Sequence, residues 1–392
     1  MQTLLVTGPG GAGSSTVAAA TALAAARGGQ RVLLLCGADA DPFPDPVPGL
    51  RVTPVDSGRE FRTELAALQE RGTALIGMLG GRPLGAEELT ELPGAEQFAL
   101  LRALRRAAAE PATDLVVVDM PPLHQAVAAL ALPAQLRRYL ARLLPAERQA
   151  ARALRPVLAQ LAGVPMPAQW LYETAARWDE ELAAVQAVVE APTTRIRLVA
   201  EPGPAADTAL RTGMLGLALH ELPVEGLVAN RLVPPDAAAA HPWAARLAEQ
   251  QRAFLDQWAG PGLPVHELAH LGRDPLGTDD LEVLGTAPGI APGPAVDAGA
   301  APGTGPGTGW AVEDRLADDG VLVWAIPLPR ARKSELDLIR RGDELLVAAG
   351  PHRRIVPLPS ALRRCTVSGA ALADDALRVR FTPDPRLWPR ER

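Results

Sequence analysis

The sequence predicts an α/β fold, a doubly wound and mostly parallel sheet with a helical subdomain, joined to a C-terminal all-β sandwich. Three observations predict it. The first forty residues read strand, glycine loop, helix, strand. Short apolar runs then alternate with helical stretches as far as position 230. Past a glycine- and proline-rich stretch, the pattern changes to short apolar runs separated by turn residues. A chain of 392 residues has room for roughly two or three domains with real cores.

Leu4 to Thr7 is an apolar run that stops at Gly8, and Thr16 to Arg27 is alanine-rich without proline, which favours helix. Arg31 to Cys36 is a second buried run, so strand, helix and strand make a βαβ unit of a parallel sheet. Residues 60–110 read as helix, broken at Gly80 and again from Leu92 to Gly94. Leu115 to Val118 is an uninterrupted strand ending in Asp119. Ala134 to Glu190 has apolar positions at helical spacing almost throughout. Two more strands follow, Ile196 to Ala200 and Gly226 to Ala229, the latter leading into Asn230. Residues 286–312 are mostly glycine, alanine, proline and threonine; such a stretch buries too little apolar area to offset its ordering entropy. It reads as a linker with a random-coil span of about 25–30 Å. Beyond it, Val321–Pro329, Asp343–Gly350, Arg353–Pro359 and Leu377–Phe381 are the strands of a small sandwich over residues 313–386.

Composition excludes several functions. Charged residues make up 21% of the chain and the formal net charge is −6, so no global positive field draws it to nucleic acid or anionic lipid. Any membrane contact is expected to be indirect. Cys36 and Cys365 lie too far apart for a metal framework or a secreted disulfide scaffold, which points to a reduced, cytoplasmic setting. No uncharged apolar run has the length of a membrane span, and the start MQTLLVTGPGGAG lacks the marks of a signal peptide. Of the 39 basic residues only Lys333 is a lysine, so chemistry that requires lysine has none before that position.

Gly8 to Ser15, GPGGAGSS, fits the phosphate-loop frame GxxxxGK[ST] at both glycines, with Ser14 where the lysine belongs. Glycines let successive backbone N–H groups converge on phosphate oxygens, and the helix that follows adds its positive end. Ser15, with Thr16 beside it, stands where a hydroxyl would hold Mg²⁺, and Asp119 stands where a carboxylate would hold it through water. The same loop also spells GxGxxG through Gly8, Gly10 and Gly13, with Asp39 or Asp41 placed for a ribose, so an NAD-type dinucleotide fold is an alternative.

With these motifs the chain resembles the ArsA/Get3-like ATPases, P-loop proteins of the SIMIBI class, in their bacterial form with a C-terminal α-crystallin (HSP20-like) domain. The resemblance rests on GPGGAGSSTVAAATALA, LPGAEQFALL, VVVDMPP, the ALP ending at Pro133, LLP at Leu143, VANRLVPP, WAIPLP and GDELLV, in that order. It implies an ATPase domain at 1–285, with a helical insertion at about 134–190, the linker at 286–312 and the α-crystallin-like sandwich at 313–386. It implies ATP and Mg²⁺ as cofactors, with Gly10, Gly11, Ala12, Gly13, Ser14, Ser15 and Thr16 at the nucleotide and Ser15 and Asp119 at the metal. It also implies a homo- or heterodimer and a protein client or related subunit as partner. Two family lysines are replaced, one by Pro9 and one by Ser14, and the water-orienting aspartate falls on Ala38 with Asp39 one residue late. The switch segment after Asp119 shortens to PPLHQ, with His124 as its equivalent. Asn230 falls on the residue that meets adenine. The resemblance therefore implies an ATP-binding protein with weak or lost hydrolysis, engaged in client binding or targeting; a non-catalytic holdase is the alternative.

Other motifs have plainer readings. His266 to His270, HELAH, matches HExxH, but GPGLP and LGRDP bracket it too closely for the long helix a zinc site needs. Asp39, Asp41 and Asp45 lack the central glycine and closing glutamate of a calcium loop. Arg137 to Arg155 is an amphipathic stretch with leucines at helical spacing, and only Met166 offers the methionine character of a tail-binding groove.

Overall fold

The computed structural model describes residues 1–40, 42–78, 80–144, 167–260, 262–293 and 309–388. Seven strands form one sheet: β1 (Gln2–Thr7), β2 (Val32–Gly37), β3 (Leu50–Val55), β4 (Leu115–Asp119), β5 (Thr194–Ala200), β6 (Val224–Leu232) and β7 (Val265–Ala269). Their order is β3-β2-β4-β1-β5-β6-β7 and every neighbouring pair is parallel. The helices between and after them are α1 (Ser14–Arg27), α2 (Ser57–Met78), α3 (Ala95–Ala108), α4 (Leu123–Leu143), α5 (Pro167–Val189), α6 (Pro204–Leu219), α7 (Pro235–Ala240), α8 (Pro242–Trp258) and α9 (Gly277–Gly285).

A parallel sheet must be covered on both faces, and that demand is why its inner strands are continuous apolar runs such as LVVV in β4. One face packs on α1 and α9 through Val17, Leu23, Leu281 and Leu284. The other packs on α3, α4, α5, α6 and α8. Small residues let α1 lie close to the sheet: alanines fill half of its length and nine of its positions are buried.

Strand β3 is not among the strands the sequence predicts. Its residues are half-buried or exposed and Pro54 interrupts its pattern; as the edge strand, it tolerates a residue without an N–H. Helix α4 begins at Leu123 and passes through the buried Pro133, so helix precedes the expected start of the insertion near 134. It packs on α5, with Arg137 reaching Asp179 at 2.9 Å. The remainder of the insertion, with Arg155 and Met166, lies outside the described residues, as does Asp41.

The segment read as a linker is packed at both ends. Ile290 is buried and its carbonyl accepts from Arg197 at 2.5 Å, while strand β8 (Ala311–Arg315) begins before position 313. After β8 come α10 (Leu316–Asp319), β9 (Val321–Pro327), β10 (Leu336–Arg341), β11 (Glu344–Ala349), β12 (His352–Pro357), α11 (Ser360–Arg363), β13 (Cys365–Ala373) and β14 (Ala376–Pro383). They make a four-stranded sheet, β13-β14-β9-β8, and a three-stranded sheet, β10-β11-β12, both antiparallel. Their shared core holds Trp324, Ile326, Leu345, Val347 and Phe381, and it takes in Leu215 and Leu219 from α6. The sandwich therefore sits directly on the α/β domain.

Candidate functional site

The carboxyl end of β1 passes through Gly8–Gly13 into α1. Glycine is required at position 8, where an added Cβ would lie 2.0 Å from the Val199 carbonyl oxygen at the end of β5. Gly10, Gly11 and Gly13 have φ of +97°, +70° and +86°, the left-handed region that favours glycine and that builds anion-binding nests of N–H groups. Among the described residues, no backbone carbonyl accepts from the amides of Gly10, Gly11, Ala12 or Gly13. Those donors, and the first amides of α1, are available to an anion.

Strand β4 brings Asp119 to this loop. In the β1–β4 register Val6 pairs with Asp119, and the loop after β4 is tied down: the Met120 amide donates to the Val6 carbonyl at 2.9 Å and the Leu123 amide to the Gly8 carbonyl at 2.8 Å. The Thr7 hydroxyl donates to the Pro121 carbonyl at 2.7 Å. Burial pushes the Asp119 carboxyl above its ordinary value, and a hydrogen bond from the Ser15 hydroxyl offsets part of that push. A half-buried carboxylate next to a hydroxyl, with free amides beside them, is a donor set that suits Mg²⁺ with phosphate.

The far wall is the end of β6. Its pairing with β7 slips between Ala229 and Leu232, a bulge that aims Asn230 and Arg231 at the loop. Asn230 is buried and its Nδ2 donates to the Ala12 carbonyl at 2.8 Å. The residue predicted to meet adenine thus holds the loop with one donor. Arg231 has φ of +59° and donates from Nη1 to the Gly11 carbonyl at 2.8 Å. Beside them lies a water-sized hollow of about 30 Å³, lined by Gly13, Thr16, Asn230, Arg231, His270 and Arg273.

The structure thus brings Gly10, Gly11, Ala12, Gly13, Ser14, Ser15, Thr16, Asp119 and Asn230 together. Asp39 is exposed in the turn after β2, and no hydrogen bond or ion pair among the described residues joins it to the loop. His124 is exposed in the first turn of α4. Sequence reasoning missed Arg231; its signal was a basic residue directly after the asparagine that ends an apolar strand. HELAH falls on β7, where Glu267 pairs with Arg252 at 2.8 Å, and among the described residues no group of three or more His, Cys, Asp or Glu is placed to hold a metal.

Strand order decides between the two loop motifs. In the dinucleotide fold the second strand neighbours the first; here β4 lies between β1 and β2 and delivers an acid to the loop. A family model described as anion-transporting ATPase matches residues 1–260. The chain belongs to the anion-transporting ATPase family. A second model, the HSP20-like domain found in ArsA, matches residues 319–381 and corresponds to the sandwich. Over their full lengths the chain is 56% identical to an uncharacterized protein of Streptomyces coelicolor. It is 31% identical to a protein of Mycobacterium tuberculosis, covering 98% of this chain and 97% of that one. A protein of Aquifex aeolicus named as an arsenical pump-driving ATPase is 22% identical, covering 97% of this chain and 99% of its own. Among the described residues no helix is long and apolar enough to cross a membrane.

Proposed function

We propose that this member of the anion-transporting ATPase family binds ATP with Mg²⁺, hydrolyses it slowly or not at all, and uses nucleotide occupancy to govern binding of a protein client as a dimer. The observation that carries this reading is the loop itself: amides from Gly10 to Gly13 to which no backbone carbonyl among the described residues is bonded, with the half-buried Asp119 brought to the loop by the β1–β4 register. The amides, with Ser14 and Thr16 at the start of α1, would hold the phosphates, Asn230 would face the base, and Ser15 and Asp119 would hold the metal. Bound Mg²⁺ supplies positive charge to the phosphate oxygens.

Slow turnover follows from what the loop lacks. Phosphoryl transfer depends on preorganised positive groups, and removing one such donor lowers the rate by about 10² to 10³. Pro9 and Ser14 carry no charge, and Asp39 makes no described contact with the loop. Arsenite or another anion as cargo is supported by the family's description and the names of relatives alone.

Isothermal titration of the full chain with ATP and Mg²⁺ tests the reading. Binding that depends on Mg²⁺, with the metal dependence lost in Ser15→Ala, supports it; no heat at millimolar nucleotide overturns it. If ATP leaves the melting temperature unchanged while aggregation of a model client is still suppressed, the protein is a nucleotide-independent holdase. A steady-state rate comparable to that of lysine-bearing family members would remove the slow-turnover part alone.

A further inference from the structure

Arg231 is held in a conformation that an arginine does not adopt without cause. Its φ of +59° lies in the left-handed region, where a side chain with a Cβ is strained. Such strain persists where the surroundings fix the backbone, and here they do so on both sides. The buried Gln251 of α8 donates from Nε2 to the Arg231 carbonyl at 3.1 Å and accepts from the Val233 amide at 2.9 Å. The clamp spans the bulge where β6 leaves register with β7.

The bulge turns the Arg231 side chain onto the glycine loop. Nη1 donates to the Gly11 carbonyl at 2.8 Å and lies 3.5 Å from Glu201, the residue that follows β5. Nε and Nη2 have no hydrogen-bond partner among the described residues, and the side chain is about one-third exposed. A planar guanidinium with free donors, at the edge of a nest of free amides, suits phosphate oxygens. Glu201 is then its resting counter-ion.

We propose that Arg231, clamped in a left-handed backbone by Gln251, is the fixed cation of the loop and binds the polyphosphate held by the Gly10–Gly13 amides, taking the electrostatic part that Ser14 cannot play. This rests on the nucleotide-binding reading above and names the cation of that same site. The binding anion displaces Glu201 from Arg231, so Glu201 opposes binding. No bond is made or broken; the exchange is of one ionic partner for another.

The test is titration of the full chain with ATP and, separately, with inorganic tripolyphosphate at several NaCl concentrations. Losing one charge-assisted contact should weaken both ligands about tenfold or more in Arg231→Gln. Its affinity should also fall less steeply with salt than that of wild type, because one screened attraction is gone; a purely structural role for the side chain would not flatten that dependence. Arg231→Lys should restore most of the affinity and the salt dependence, and Glu201→Gln should tighten both ligands. Arg231→Gly, which suits the left-handed backbone and carries no charge, should behave as Arg231→Gln does and guards against a folding artefact. If wild type binds and Arg231→Gln and Arg231→Gly bind equally well with the same salt dependence, the inference is overturned while the nucleotide reading stands. If wild type binds neither ATP nor tripolyphosphate, the reading and the inference fall together.

Discussion

Where the sandwich meets the α/β domain, five arginines find acids across the interface, whereas the glycine loop Gly8–Ser15 carries no charged residue of its own and has Arg231 at its edge. Arg211 meets Glu335 at 2.8 and 3.0 Å, Arg330 meets Asp207 at 2.9 Å and Arg354 meets Glu221 at 2.7 Å. Arg138 and Arg142 of α4 share Glu344, each at 3.0 Å. The acids respond accordingly. At Glu335 and Glu344 an arginine hydrogen bond draws the carboxyl below its ordinary value. At Asp207 burial pushes the other way, but Arg330 and Trp258 outweigh it. Asp119, by contrast, is raised by burial and has no cation among its partners. Interface charges are neutralised within the fold; the loop carboxylate meets no cation among the described residues.

The comparison breaks most completely at Leu219, which is fully buried in the sandwich core although it belongs to α6. Leu219→Asp places an unpaired charge there, a change on the order of 4 kcal/mol or more. Denaturant unfolding should shift to lower denaturant by about that amount, with the sandwich released first under limited proteolysis. A variant that unfolds as wild type does would show that the two domains are not coupled through α6.

Acid should loosen the same interface. Burial first, then the charges of Arg354 and His352, push His220 from 6.5 down to about 4. His352 is lowered as well, again by burial, although its contact with the Thr212 carbonyl at 3.1 Å opposes that. The unfolded chain takes up the His220 proton near 6.5 and the folded chain only near 4. Stability is therefore complete above that window and declines as pH falls through it, by about 3 kcal/mol in all. In His220→Gln the decline measured between pH 7 and pH 4.5 should be visibly shallower. A smaller effect is expected at Arg330→Ala, about 1–2 kcal/mol at neutral pH, because Asp207 keeps its hydrogen bond from Trp258 Nε1 at 3.0 Å.

The loop end was the more legible of the two regions. Its glycines, Ser15 and Asp119 are local features, each fixed by a strand that stops and a turn that follows, and neighbouring positions in sequence report them. Asn230 could be placed, but not its bond to Ala12, since 218 residues separate them. The strain at Arg231 has no sequence signature, because a left-handed backbone is written in sequence only when glycine or asparagine fills it. The interface was invisible for a related reason: that Leu215 and Leu219 of α6 serve a second core depends on where the sandwich lands, which no local pattern reports. β3 escaped notice because an edge strand needs neither continuous apolar residues nor every N–H.

The smallest effect is the one that separates the regions most sharply, since it has the opposite sign. Removing an interface carboxylate should destabilise the protein; removing the charge of Asp119 should stabilise the ligand-free form. A raised carboxyl binds its proton more readily folded than unfolded, so ionising it costs stability as pH rises above its ordinary range. Asp119→Asn keeps an oxygen that can accept from Ser15 and takes away the half-buried charge. A gain of under about 1 kcal/mol at pH 7 is expected by thermal melting without nucleotide, together with loss of any Mg²⁺-dependent shift. Stabilisation of this kind at a position that faces the loop is the mark of a residue kept for binding rather than for folding. If Asp119→Asn melts earlier than wild type, Asp119 is an ordinary structural carboxylate and the contrast with Glu335 and Glu344 disappears.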